Sequence, residues 1–243
     1  MNFCLVDGRI SGKMEAGLLR CGFHAIKLAE NARLSPAVSS HTDMLVFRLG
    51  TELFSTAEYC EDNEELFLNL RRLLPTYTLR FTSDEQSAEY PRDVSLNALV
   101  LGKKIFARID SLSEDIIRRA KELGYELVGV NQGYPACTVL KLNDGAVITQ
   151  DRGMASILLK HGIRVTLIEE GDISLPPHPY GFIGGAGGVF RDTLYLLGDV
   201  EAHKSCEKIR RAAKEEGLAV VSLAVGEMLT DLGGIVFFEN DVK

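Results

Sequence analysis

The chain has 243 residues, 46% hydrophobic and 25% charged, which fits a globular protein and excludes a disordered or fibrous one. Its 27 Lys and Arg against 34 Asp and Glu leave a net charge of −7, so nucleic acid is not expected as a partner. No apolar run approaches the roughly 18 residues of a membrane helix. An Asp and a Gly interrupt any signal-peptide core in MNFCLVDGRISGK, and the five cysteines (4, 21, 60, 137, 206) form no CxxC pair. The expectation is a cytoplasmic chain with reduced thiols and no membrane association.

In chain order, one unit recurs: an apolar strand, an acidic residue, a helical stretch, a Gly, and another apolar strand. It begins with FCLV, Asp7, GRISGKMEAGLLRC, Gly22 and FHAIKL. A looser copy follows as ELFS, NEELFLNLRRLL and TYTLRF, with Pro75 where the others carry Gly. Next comes KIFARI, Asp110, SLSEDIIRRAKEL, Gly124 and YELVGV, with Ile116, Ile117, Ala120 and Leu123 at helical spacing. AVITQ, Asp151, RGMASILLKH, Gly162 and IRVTLI give the fourth copy. LYLLG, Asp199, EAHKSCEKIRRAAKEE, Gly217 and LAVVSLA give the fifth. Gly suits a helix end because the chain often turns there through a left-handed residue. Asp at a helix start accepts free backbone N–H groups, and capping accounts for Asp7, Asp110, Asp151 and Asp199 without a functional role.

A further strand precedes each unit but the first: MLVFRL, NALVL, TVLKL and GVF. A last strand, GGIVFFE, has no helix after it. It completes the first unit if the two termini pair. The expectation is an α/β chain of five ββαβ units in a pseudosymmetric ring, folded as a single domain over residues 1–243, with the segment EEGDISLPPHPYGF as a loop.

Five ββαβ units closed through the termini resemble the pentein, or β/α-propeller, fold of the guanidine-modifying-enzyme superfamily. The residues carrying the resemblance are SHTDMLVF (40–47), GYPACTVL (133–140), GFIGGAGG (181–188) with LLGD (196–199), and LGGIVFF (232–238). More narrowly, the chain resembles a bacterial branch known only as a domain of unknown function with that fold. The resemblance implies a site on the central axis, formed by the loops before the first strand of each unit. Those loops hold His41 and Asp43, Asp93 and Asn97, Cys137, the glycines 184–188 including Gly185 and Gly187, and Asp231 with Gly233 and Gly234.

In the catalytic families of this fold a Cys thiolate attacks the guanidinium carbon, a His shuttles protons, and carboxylates hold the cation. Carried over, Cys137 is the candidate nucleophile and His41 the acid/base, with Asp43 and Asp93 or Asp231 as substrate-binding carboxylates. His41 and Asp43, two apart in an extended reading, share a face. The plain alternative makes Cys137 a small core residue and the His41–Asp43 pair an ordinary polar contact. The enzymes carry their cysteine in the last unit, where this chain has Asp231-Leu232-Gly233-Gly234.

GFIGGAGG precedes a strand, so it is not a nucleotide fingerprint; close backbone approach, to a ligand or between crowded loops, is the better reading. No HxH, HExxH or Cys/His spacing points to a metal, and no cofactor is expected. The other cysteines read as packing or surface residues. His24 falls in a strand, His161 at a helix end, His203 on a helix and His178 in a loop that could cover the axis. Two functions follow: an enzyme acting by hydrolysis or amidino transfer on a small guanidino or amidino compound, or a non-catalytic pentein binding a small molecule or a protein.

Overall fold

A computed structural model describes residues 2–239. Five three-stranded sheets carry the fold. In chain order of their middle strands they are Val236–Phe238, Asn2–Asp7 and Phe23–Leu28; Phe47–Leu49, Glu52–Thr56 and Thr78–Thr82; Leu99–Leu101, Lys104–Ala107 and Glu126–Gly129; Val139–Asn143, Ala146–Thr149 and Arg164–Leu167; and Gly187–Phe190, Thr193–Leu196 and Ala219–Ser222. In every sheet the first strand runs antiparallel to the middle one and the third runs parallel to it. A parallel neighbour requires a crossover, which the helix of each unit supplies. The termini pair, with Phe3 opposite Phe238 and Leu5 opposite Val236.

The helices lie close to where the spacing put them: Gly12–Arg20, Glu114–Glu122, Arg152–Lys160 and Cys206–Glu215. The second unit divides its helix into Ala57–Asp62 and Glu64–Leu73. Gly22, Gly124, Gly162 and Gly217, just beyond four of these helices, all have φ between +71° and +86°. The capping expectation holds for Asp151, which accepts from Met154 N at 2.8 Å; Asp199 accepts from Glu201 N at 3.1 Å but caps the 3-10 turn Val200–Ala202, not the helix Cys206–Glu215, which starts after Ser205. The expectation fails for Asp7 and Asp110, because Ser11 and Ser113 stand at those helix starts. Asp110 is an exposed partner of Arg108, whereas Asp7 is fully buried.

Five apolar clusters form the core, and each is shared by two sheets that follow one another in the chain, the last with the first. The middle strands explain how. Successive side chains point to opposite faces. Leu53 enters one cluster and Phe54 the next; Ile105 and Phe106 divide likewise, as do Val147 and Ile148. Both faces are buried, so these strands read as unbroken apolar runs rather than alternating ones. Each fully buried Leu or Phe contributes about 1.5–3 kcal/mol of transfer free energy.

Three local expectations are corrected. EEGDISLPPHPYGF is not all loop, since Ile173–Ser174 pairs in parallel with Leu229–Thr230. The segment of His41 and Asp43 is not extended but forms a single helical turn, Thr42–Leu45, and the loop that holds Cys137 forms another, Pro135–Thr138, each just before its strand. His203 lies between a 3-10 turn and the helix that begins at Cys206. Residues of all five first strands, including Phe47, Leu99, Val139, Gly187 and Val236, line one cavity of about 570 Å³. Among the described residues no helix is long and apolar enough to cross a membrane.

Candidate functional site

The turns that precede the first strands bring residues from distant units together. Asp43 lies in the turn Thr42–Leu45 and lines the cavity. Cys137 lies in the turn Pro135–Thr138, and its thiol donates to Asp43 Oδ2 at 2.6 Å. Asn97 links the two turns. Its Oδ1 accepts from Ala136 N at 2.9 Å, and its Nδ2 lies 3.5 Å from Cys137 Sγ and 3.4 Å from the Asp43 carbonyl.

His41 immediately precedes the Thr42–Leu45 turn and is 1% exposed. A carboxylate stands near each ring nitrogen: Asp231 Oδ1 is 3.7 Å from Nδ1, and Asp7 Oδ2 is 4.0 Å from Nε2. Neither nitrogen makes a hydrogen bond, and neither does the buried Asp43 Oδ1. The donor atoms of His41, Asp43 and Cys137 all lie within 4.8 Å of one another.

The C-terminal segment pins this centre. Asp43 N donates to the Gly233 carbonyl at 3.2 Å. Asp231 accepts from Phe182 N at 2.8 Å and from Gly233 N at 3.2 Å. Gly185 packs directly on Asp231, where an added Cβ would fall 1.7 Å from Oδ1. Gly184 packs as tightly on the backbone of the Cys137 turn, with the Ala136 carbonyl oxygen 2.3 Å from a Cβ position. The glycine run is therefore required by close approach between loops. Gly187 begins a first strand and faces the cavity.

Not every expected residue joins the centre. Asp93 is buried, but its Oδ2 accepts from the Tyr134 hydroxyl at 2.5 Å rather than from the His41–Cys137 group. His178 is exposed on its loop. Asp7, assigned to capping from sequence, proves to be part of the site. Its carboxylate accepts from Arg9 Nε, Arg9 N and Ser40 Oγ, and it faces His41. Its recurrence among four similar Asp positions concealed it.

The electrostatics divide these groups. Burial alone would raise the Asp7 carboxyl, but the hydrogen bonds from Arg9 and Ser40 outweigh it and hold it below its ordinary value. Burial raises Asp43 to about 6 against the bonds it accepts. Asp231 is raised to about 7 by burial and then by the charge of Asp43. Burial lowers His41 to about 4. Cys137 is pushed well above its ordinary value by burial and by the Asp43 and Asp231 charges. Near neutral pH the centre thus holds a thiol, a neutral imidazole and two carboxyl groups poised to ionise. A cation entering here would be attracted by both carboxylates and would ease ionisation of the thiol.

Solved structures share this fold. A DDAH from Pseudomonas aeruginosa, complexed with citrulline, matches with a TM-score of 0.57 at 10% identity, over 97% of this chain and 98% of its own. The inosamine-phosphate amidinotransferase from Streptomyces griseus matches with a TM-score of 0.55 at 15% identity, over 95% and 79%. The N-terminal domain of an arginine dihydrolase from the cyanobacterial ornithine–ammonia cycle, bound to substrate, matches with a TM-score of 0.54 at 14% identity, over 92% of each chain. No curated protein matches by sequence. The chain therefore shares the α/β fold of these three enzymes. Residues 5–236 match the family of unknown function DUF6873, and the chain belongs to that family.

Proposed function

We propose that the protein binds a small guanidino or amidino compound at the His41–Asp43–Cys137–Asp231 centre and acts on it by hydrolysis or amidino transfer. The observation that carries this reading is the Cys137 thiol bonded to Asp43 Oδ2 at 2.6 Å, with the His41 ring in the same cluster. A planar cation is matched by carboxylates, and Asp43 and Asp231 supply two. Its charge lowers the thiol pKa, and the Cys137 proton passes to Asp43. The thiolate then attacks the guanidinium carbon, forming a C–S bond. The tetrahedral intermediate expels an amine, which takes the proton that Asp43 received from the thiol, directly or relayed through His41. Water, or a second amine, displaces the amidino group from sulfur and restores the thiol. Asn97 positions the Cys137 turn, and Gly185 and Gly187 keep the backbone close to the ligand. Asp93 supports the turn through Tyr134.

The same proposal includes a single-domain, five-fold β/α propeller in the cytoplasm. Five clusters shared between successive sheets, a cavity lined by all five first strands, and pairing of the terminal strands support the ring. Free cysteines support a reducing location.

A second reading, a non-catalytic pentein that binds its ligand unchanged, is favoured by one observation: Cys137 is 3% exposed and its thiol is held in the protonated form. A panel of guanidino compounds, followed by calorimetry and by amine release, separates the two. Turnover by the wild type that is lost in Cys137→Ala, with binding retained, is the expected result. Binding without turnover supports the second reading, and no binding to any compound refutes both.

A further inference from the structure

We propose that His41, Asp43 and Cys137 form a binding site for one zinc-class transition-metal ion. The site stands on geometry alone and does not need the guanidino reading. A thiolate, an imidazole and a carboxylate are the donor types that zinc takes, and hard cations such as magnesium or calcium disfavour sulfur and nitrogen. The three donor atoms already lie within 4.8 Å of one another, although their residues come from two units 94 positions apart in the chain.

The second observation is the state of the donors. His41 is 1% exposed, yet neither ring nitrogen has a hydrogen-bond partner, and the buried Asp43 Oδ1 has none. Buried polar atoms ordinarily find partners, because one left unsatisfied has given up its water and gained nothing in return. A divalent ion would satisfy both residues at once. The surroundings fit as well. Metal-bound histidines commonly pass their other N–H to a carboxylate. Here a carboxylate lies beside each nitrogen, Asp231 at 3.7 Å and Asp7 at 4.0 Å, so whichever nitrogen takes the metal, the other faces an acceptor.

Charge balances too. One thiolate and one carboxylate neutralise the ion, which suits a buried position. Binding forms S–metal, N–metal and O–metal contacts and releases the Cys137 thiol proton to solvent, with no change of oxidation state. Asp43 lines the cavity, so an ion has a route to the donors and a fourth position can face that space. An ion held through sulfur leaves Cys137 unable to attack carbon, so metal and nucleophilic chemistry exclude each other.

Cobalt(II) titration of chelator-stripped protein tests the site by spectrum rather than by activity. The expected result is one ion per chain, with a thiolate-to-cobalt charge-transfer band and the intense visible bands of tetrahedral coordination, reversed by added zinc. Cys137→Ser should abolish the charge-transfer band, and His41→Gln should weaken zinc affinity by about a hundredfold or more. Thermal melts confirm that each variant is folded. A wild-type titration without charge transfer overturns the proposal whatever the variants do, and so does zinc affinity unchanged in folded Cys137→Ser. Failure here leaves the guanidino panel unaffected, because that panel reads compound binding and amine release and, run with added chelator, involves no metal.

Discussion

Replacing Asp231 with Asn tests the electrostatics of the centre quantitatively. The carboxyl is 1% exposed and raised from 3.8 to about 7 by burial and by Asp43. Between those two values the folded chain holds a proton that the unfolded chain releases. Stability therefore falls as pH rises across that window and is level outside it. The interval corresponds to about 4 kcal/mol at about 1.4 kcal/mol per pH unit. His41, lowered to about 4, acts in the opposite sense: between about 4 and 6.5 the unfolded chain binds the proton, so stability rises with pH there. The two partly cancel in the wild type, and only the difference between proteins isolates Asp231. Asparagine resembles the protonated acid, but its NH2 must face an N–H of Phe182 or Gly233, an offset of about 1–3 kcal/mol that does not vary with pH. Urea unfolding of metal-free wild type and Asp231→Asn from pH 4 to 8 should show the variant gaining about 4 kcal/mol relative to the wild type across the range. A difference constant within about 1 kcal/mol across that range would refute the claim that Asp231 is strained by its surroundings.

Other outcomes follow from particular contacts. Gly185→Ala should destabilise by about 1–3 kcal/mol or more, because its Cβ would meet Asp231 Oδ1 at 1.7 Å, while Gly12→Ala, with nothing within 4 Å, should be neutral or mildly stabilising in the same thermal melts. Asn97→Ala should cost about 1–3 kcal/mol, since the half-buried Ala136 N–H loses its acceptor, and should speed alkylation of Cys137 by loosening its turn. In the free wild type, iodoacetamide followed residue by residue should label the exposed Cys21 readily and Cys137 only slowly, with no inflection below the ordinary thiol value; early labelling of Cys137 would contradict its raised pKa.

The repeat was legible because burial enforces it. Middle strands buried on both faces read as apolar runs, helices kept their 3.6-residue period, and glycines such as Gly124 and Gly162 marked where the chain turns left-handed. Four-residue turns are too short to show a period, so Thr42–Leu45 read as extended chain and Pro135–Thr138 as a loop. The error left His41 and Asp43 together at the centre, for a different geometric reason. Asp93 and Asp231 both precede first strands, and nothing in their spacing tells that Tyr134 captures one while Gly185 and Gly233 seat the other beside His41. Asp7 was hidden by its likeness to the true helix cap Asp151; what distinguishes it is Ser11, which takes the capping position and leaves Asp7 to Arg9, Ser40 and His41. The metal-type cluster was equally silent, because its ligands follow no local spacing and meet only through the fold.

The central claim is that Cys137 attacks a guanidinium carbon beside Asp43 and His41. The most direct measurement mixes the metal-free protein with guanidino compounds, quenches in acid and weighs the peptide that carries Cys137. The account predicts an amidino group on Cys137 in the wild type and none in Cys137→Ala, which should still bind the same compound. Full turnover by Cys137→Ala, or no adduct with any compound that the wild type consumes, would contradict it.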